Sequence, residues 1–385
     1  MNSILWKIRE FGKKECKLCG RKSVLISEII GVCVDCLRKR PEEALPIALK
    51  GHEKSRSKFK LPTTPPKKGK FTCDICANRC SPLENELSFC GLVSSDSNKL
   101  IRIAGTKDMG ICSWYYDPLP TNCVAGWFCP GSTGIGYPKF SVSERGAERG
   151  YYNLAVFYGA CNLDCLFCQN WQWREYVKRL NPVMSAEELF SKVNNRVTCI
   201  CFFGGDPTPQ VLHALEVCKL ALEYVEDTGR ILRICWETNG LVNPQLLKRM
   251  SEYSLRTGGI VKFDIKAWTP SVYKALTGVD PAWLFDNVKL VVDMGQEREE
   301  VPLFTASTLL VPGYVDEYEI RMIARFLASL DTDIPYSLLA FHPDYLMNDL
   351  PPTSRTHAMR ALKAAKEEGL RRLNIGNPWL LGDYY

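Results

Sequence analysis

The stretch 154–171, LAVFYGACNLDCLFCQNW, constrains this chain more than any other. A short apolar run at 154–158 reads as a buried β-strand. Three cysteines, Cys161, Cys165 and Cys168, follow on the loop at its end. Three thiolates are one short of a closed tetrahedral metal site. On a cubane of four irons they leave one iron without a protein ligand, and a small molecule can bind there, much as a catalytic zinc keeps an open position. The spacing Cys-x-x-x-Cys-x-x-Cys, with Phe167 before the last thiol, favours this reading over three unrelated cysteines on a loop.

From residue 150 onward the pattern alternates. Strands are expected at 154–158, 199–203, 231–236, 260–265, 303–311 and 335–341, with a weaker one at 371–375. Helices are expected at 185–194, 210–226, 243–256, 281–294, 315–329 and 353–368. Such alternation implies an α/β fold, a parallel sheet with helices outside, whose chemistry belongs to loops at the carboxyl ends of the strands. The polar motifs fall at such ends: FFGGDPTPQ after the second strand, WETNG after the third, FDIKAW at the fourth and FHP at the sixth. Gly204 and Gly205 let backbone approach a ligand closely, and Asp206-Pro207 fixes the turn.

The cysteine trio resembles that of the radical S-adenosylmethionine (SAM) superfamily. The resemblance implies an open, partial (β/α)6-type barrel, a 4Fe-4S cluster on Cys161, Cys165 and Cys168, and SAM chelating the open iron. Gly204, Gly205, Asp206 and Pro207 resemble a Gly-Gly-Glu-Pro loop that receives the SAM amino group, with Asp in place of Glu. In the branch that contains the pyruvate formate-lyase activating enzyme, WETNG and FDIKAW have counterparts. By that resemblance Glu237, Thr238, Asp264 and Lys266 line the SAM site, and His342 contacts the nucleoside. An ordinary buried Asp–Lys pair is the plainer reading of Asp264 and Lys266.

Two further cysteine groups precede the barrel. Cys16, Cys19, Cys33 and Cys36 form two Cys-x-x-Cys pairs, each presenting two sulfurs from one turn, a pattern for a four-thiolate zinc or iron site. Cys73, Cys76, Cys80 and Cys90 form a less regular quartet, read as a second mononuclear site. Cys112, Cys123 and Cys129 are spare ligands or plain buried thiols. The chain thus divides into a metal-binding ribbon (1–50), a basic, proline-containing linker (51–70), a second Cys-rich module with an aromatic, Gly- and Pro-rich segment (71–150), and the barrel (151–385). The linker, HEKSRSKFKLPTTPPKKGK, reads as solvated. The ribbon is treated as separable, so Cys33→Ser is expected to disturb it without emptying the trio's cluster.

The net charge of +6 is mild and points to no nucleic-acid partner. No apolar run reaches membrane-spanning length, and the first twelve residues lack the pattern of a signal peptide. Eighteen cysteines then suit a reducing cytoplasm and metal or redox chemistry. The long, Cys-rich segment ahead of the barrel is similar to the cobalamin-dependent glutamine C-methyltransferases that modify methyl-coenzyme M reductase in methanogens. That similarity implies cobalamin, a protein substrate and an electron donor such as ferredoxin or flavodoxin, with 71–150 as the candidate cobalamin location at the barrel mouth. One departure is that no Asp-x-His-x-x-Gly motif occurs around His52, His213, His342 or His357. A glycyl-radical activase and a SAM-binding scaffold without chemistry are the alternatives.

Overall fold

The computed structural model describes residues 11–385; the reading of the extreme N-terminus as free of a signal peptide falls largely outside them. Two short antiparallel strands, β1 (Lys14–Glu15) and β2 (Lys22–Ser23), lead into helices α1 (Val34–Lys39) and α2 (Pro41–Ser57). A small hairpin of β3 (Val93–Ser95) and β4 (Leu100–Arg102) follows. Strand β5 (Gly110–Pro118) and helix α3 (Pro130–Thr133) precede β6 (Tyr152–Tyr158). After α4 (Trp173–Arg179), β7 (Val183–Met184) and α5 (Ala186–Phe190), strands and helices alternate: β8 (Val197–Gly204), α6 (Val211–Thr228), β9 (Arg233–Thr238), α7 (Pro244–Thr257) and β10 (Val261–Asp264). Then come α8 (Pro270–Thr277), α9 (Leu284–Gly295), β11 (Phe304–Leu310), α10 (Glu317–Leu330), β12 (Tyr336–Ala340), α11 (Arg355–Glu367) and β13 (Leu373–Gly376).

The main sheet has nine strands in the order β13-β12-β11-β10-β9-β8-β6-β5-β7. The seven from β6 to β13, leaving β7 aside, run parallel, each beside its sequence neighbour. This is the expected α/β partial barrel, with its six strong strand signals and the weak seventh all realised. The strands read as unbroken apolar runs because both faces are covered; Leu154, Val156, Ile200, Phe202, Ile234 and Trp236 are buried within them. Strand β5 extends the sheet antiparallel to β6, from Cys112 opposite Tyr158 to Pro118 opposite Tyr152. The sheet does not close on itself, since its two edges are β13 and β7.

Two expectations are corrected. Residues 51–59 are not a solvated linker but the end of α2 and the turn after it. Ala44, Ala48, Gly51, His52, Ser55, Arg56 and Phe59 are buried at helical spacing, while Glu53, Lys54 and Lys58 face solvent. The run reads as solvated because, apart from Phe59, its buried stripe consists of small and polar residues, which hydropathy does not register. The second correction concerns 71–150. Its first part does sit at the carboxyl end of the sheet, where Ala77 N donates to Leu241 O at 2.9 Å and Asn78 Nδ2 to Asn162 O at 2.7 Å. The part from 119 to 150 instead packs under the amino ends. Glu148 and the Phe140 carbonyl bind Arg233, the first residue of β9, and Trp127 Nε1 donates to Ser337 near the start of β12. Ala125, Phe128, Phe140, Ile260 and Val301 form a small core of their own there.

Candidate functional site

Strand β6 delivers Cys161 three residues beyond its last hydrogen-bonded pair, and the loop that follows is held from below. Asp164 N donates to Thr277 O at 2.8 Å and Leu166 N to Leu276 O at 3.1 Å, so the end of α8 acts as a template for the loop. Its side chain is the anchor. Asp164 is fully buried and accepts from Arg174 Nη2 at 2.6 Å and Ser55 Oγ at 2.9 Å; His52 Nδ1 lies 2.9 Å away and Arg56 3.8 Å. Burial alone would raise this carboxyl; Arg174, His52 and Arg56 together hold it well below the usual carboxylate range. Three of these four partners lie on α2, in the stretch misread as a linker.

The second wall is the β8 end. Gly204 has φ +113°, and a Cβ there would stand 2.5 Å from Tyr158 N; a Cβ on Gly205 would stand 2.1 Å from Ala160 O. The paired glycines are therefore required by the close approach of this turn to the cysteine loop. Asp206 is buried and accepts from Thr208 N (2.8 Å), Thr238 Oγ1 (3.1 Å), Asn239 N (2.7 Å) and Asn239 Nδ2 (2.7 Å). Burial pushes its pKa up in spite of these donors. Its carboxylate thus braces the β9 loop, while Gly204 and Gly205 line the cleft beside it. Pro207 starts the short turn into α6 and is not among the residues lining the cleft.

These elements enclose a cleft of ≈ 220 Å³ at the carboxyl ends of the parallel strands. Cys161, Cys165, Cys168, Gly204, Gly205, Asp206, Glu237, Thr238, Asp264 and Lys266 all line it. The sequence-derived set converges there apart from Pro207 and His342. His342 follows β12 with Nδ1 2.8 Å from Asp344, while Leu339 of the same strand reaches the cleft wall. Asn239, Lys262 and Asn170 also line the cleft and were missed. Asn239 was legible as the Asn of WETNG: its Nδ2 donates to Asn162 Oδ1 at 2.7 Å and ties β9 to the cysteine loop.

The cleft suits a cluster and a zwitterionic ligand. Burial pushes the Cys165 thiol up to about 12, with Lys266 opposing the shift, so its ionisation needs a metal to take the thiolate. Lys266 is paired with Asp264, and that pairing, with Cys165 nearby, raises the ammonium despite burial. Asp264 Oδ1 is buried without a hydrogen-bond partner, an acceptor left open beside the cysteines.

At the N-terminus the four sulfurs of Cys16, Cys19, Cys33 and Cys36 all lie within 4.8 Å of one another, with 3.8 Å between Cys16 and Cys36 and between Cys19 and Cys33. A tetrahedral ion with metal–sulfur bonds of about 2.3 Å places its ligands roughly 3.8 Å apart. A four-Cys site is present. Burial would raise the Cys16 thiol, but amide donors at Cys33, Leu18 and Cys19 outweigh it and bring it to about 6. Cys73, Cys76, Cys80 and Cys90 do surround one small cavity, with Arg102 Nη2 3.9 Å from Cys73 Sγ. Among the described residues, however, only the Cys16 group is drawn to tetrahedral spacing. The second quartet is gathered more loosely than the expected single-ion site. Cys112 is a plain buried thiol on β5, opposite Tyr158 of β6.

The model of the radical SAM superfamily matches residues 155–327. Over that stretch the chain is similar to the radical SAM superfamily. The match begins inside β6 and ends in α10, so it takes in the cysteine loop and the strands that build the cleft. An uncharacterized protein of Methanocaldococcus jannaschii is 26% identical over 80% of this chain and 81% of its own length. A protein of the same organism provisionally named a glycyl-radical enzyme activating enzyme is 26% identical over 47% of this chain and 64% of its own length. A domain of the pyruvate-formate lyase-activating enzyme from Bacteroides vulgatus overlays with a TM-score of 0.37 at 19% identity, covering 46% of this chain and 98% of that one. Among the described residues no helix is long and apolar enough to cross a membrane.

Proposed function

We propose that this chain is a radical SAM enzyme that modifies a protein substrate, with a 4Fe-4S cluster on Cys161, Cys165 and Cys168 and SAM in the adjoining cleft. The observation that carries the reading is the convergence of the three thiols, the Gly204–Gly205 turn and the open Asp264 Oδ1 on one cleft at the strand ends. When bound, the cluster supplies one electron to the SAM sulfonium, releasing methionine and a 5′-deoxyadenosyl radical that abstracts a hydrogen atom. The chain's own residues position and shield that chemistry. Lys266 and Asp264 offer opposite charges to the carboxylate and amino groups of the ligand, and the Gly204–Gly205 backbone forms the wall beside the cysteine loop. Leu163, Phe167, Trp173, Leu309 and Leu339 supply apolar walls between the polar groups of the lining, which limits water beside a reactive radical.

For the onward step we carry the specific reading of the sequence, Cα-methylation of a glutamine in a protein such as methyl-coenzyme M reductase. The residues facing the cleft do not match an imidazole-ligated cobalamin. None of the four histidines lines the cleft: His52 contacts Asp164 and Ala275 O, His213 contacts Tyr158 and Met184 O, His342 contacts Asp344, and His357 contacts Val315 O and Tyr385. No step is routed through cobalamin for that reason. Glycyl-radical activation is the second reading, motivated by the relative of that provisional name. Products separate the two: a methyltransferase yields both 5′-deoxyadenosine and S-adenosylhomocysteine, an activase only the first. The generator itself is tested in reconstituted, dithionite-reduced protein. Cys165→Ala should abolish 5′-deoxyadenosine formation from SAM, and retained formation would refute the assignment.

A further inference from the structure

Behind the cleft, toward the amino ends of the strands, lies a second chamber of ≈ 140 Å³. Five cysteines line it: Cys199 and Cys201 of β8, Cys235 of β9, and Cys123 and Cys129 of the segment packed beneath the barrel. The sheet explains the convergence. Cys199 and Cys201 are two apart and so share one face, and Cys235 is the register partner of Cys201 on the next strand. The segment from 119 to 150 adds its two thiols from below.

Two buried cations touch these sulfurs. Lys262 Nζ lies 3.2 Å from Cys201 Sγ and 3.4 Å from Cys123 Sγ, and Arg233 Nη2 lies 2.9 Å from Cys199 Sγ. Each cation also has a carboxylate partner, Lys262 with Glu237 at 3.3 Å and Arg233 with Glu148 at 2.7 Å, so the chamber brings five thiols together beside two charge-compensated cations. The chamber also shares Phe203, Glu237 and Lys262 with the SAM cleft, so the two spaces adjoin.

We propose that this chamber is a second soft-metal site, one that holds an iron–sulfur cluster inside the barrel, bound by thiolates from Cys199, Cys201 and Cys235 together with Cys123 or Cys129. A single ion is the poorer occupant. Tetrahedral ligation needs sulfurs roughly 3.8 Å apart, and among the described residues only the Cys16 group has three or more ligand atoms within 4.8 Å of one another. A cluster sets its ligand sulfurs farther apart, because the iron and sulfide core stands between them.

The test is metal and sulfide content, and it does not depend on SAM cleavage. The full chain with Cys161→Ala, Cys165→Ala and Cys168→Ala lacks the trio. It is reconstituted anaerobically with ferrous iron and sulfide, desalted, and assayed for iron, acid-labile sulfide and Mössbauer signal. It is then compared with the same protein carrying Cys199→Ala, Cys201→Ala and Cys235→Ala as well. We expect the added substitutions to remove one cluster's complement of iron and sulfide, while the N-terminal four-Cys ion is retained. Equal iron and sulfide in the two proteins overturns the proposal, since the remaining metal then belongs to the N-terminal ion and the Cys73 quartet. If the strand substitutions prevent folding, Cys123→Ala with Cys129→Ala, which leaves the sheet untouched, is read by the same criterion.

Discussion

Asp164→Asn isolates the contribution of one buried carboxylate to the cysteine loop. The side chain is buried among Arg174, Arg56, His52 and Ser55, with contacts of 2.6 to 3.8 Å. The amide keeps the shape but removes the one carboxylate that, among the described residues, pairs with the two guanidinium groups. Removing one partner of a buried pair costs about 3–5 kcal/mol, because the remaining charge loses its compensation. At 1.36 kcal/mol per decade this is a change of about two to nearly four decades in the opening equilibrium of the loop. Hydrogen exchange reads it directly at the amides of Asp164 and Leu166, which bond Thr277 O and Leu276 O. Their protection should fall by that factor, while the amides of β11 and β12 change little. The variant should also lose iron from Cys161, Cys165 and Cys168 faster on exposure to a chelator. The same reasoning fixes a pH dependence. The folded carboxyl is held below its ordinary value of about 4. Its stabilisation is therefore complete above that pH and is lost progressively as the pH falls below it. Protection at Leu166 that stays within threefold of wild type would mean that the loop is held by its backbone alone, and the argument would fail.

Other perturbations report on separate parts of the site. Gly205→Ala drives a Cβ to 2.1 Å from Ala160 O; a cost of about 1–3 kcal/mol and poor cluster retention are expected, measured by denaturant midpoint and iron content. Asp264→Asn should weaken SAM binding by about ten- to a hundredfold in equilibrium dialysis while cluster iron stays at the wild-type level, since a hydrogen bond to a charged group contributes roughly 1.5–3 kcal/mol. Cys33→Ser should release the N-terminal ion. Because α2 carries His52, Ser55 and Arg56 against Asp164, the same variant should also shorten the lifetime of the trio's cluster, contrary to the separable module that the sequence suggested. An unchanged cluster lifetime would restore the independent ribbon.

Much of the site was legible because it is local. The order of βα units follows from apolar runs separated by amphipathic segments, and each chemically active motif sits at the end of a strand or a few residues beyond it. Once the sheet is parallel, all such motifs must meet at its carboxyl edge, so Cys161, Gly204, Thr238 and Asp264 could be assigned to one place before any contact was known. The two Cys-x-x-Cys pairs were readable for the same reason, since each pair lies within a single turn. The failures concern partners that lie far apart in the chain. Nothing within residues 52–56 says that a histidine, a serine and an arginine will surround a carboxylate at position 164, and hydropathy assigns such residues to solvent.

The sequence by itself determined the α/β class, the order of the strands along the chain and the edge at which the cysteine trio would stand, because these depend on periodicity and on short spacings. Only the tertiary structure decided which side of the barrel the segment from 119 to 150 would cover, that α2 would brace the cysteine loop, and that five thiols from β8, β9 and that segment would face one chamber. Those outcomes rest on contacts between residues tens to hundreds of positions apart. Their energies come from burial and charge compensation that exist only after the chain has folded.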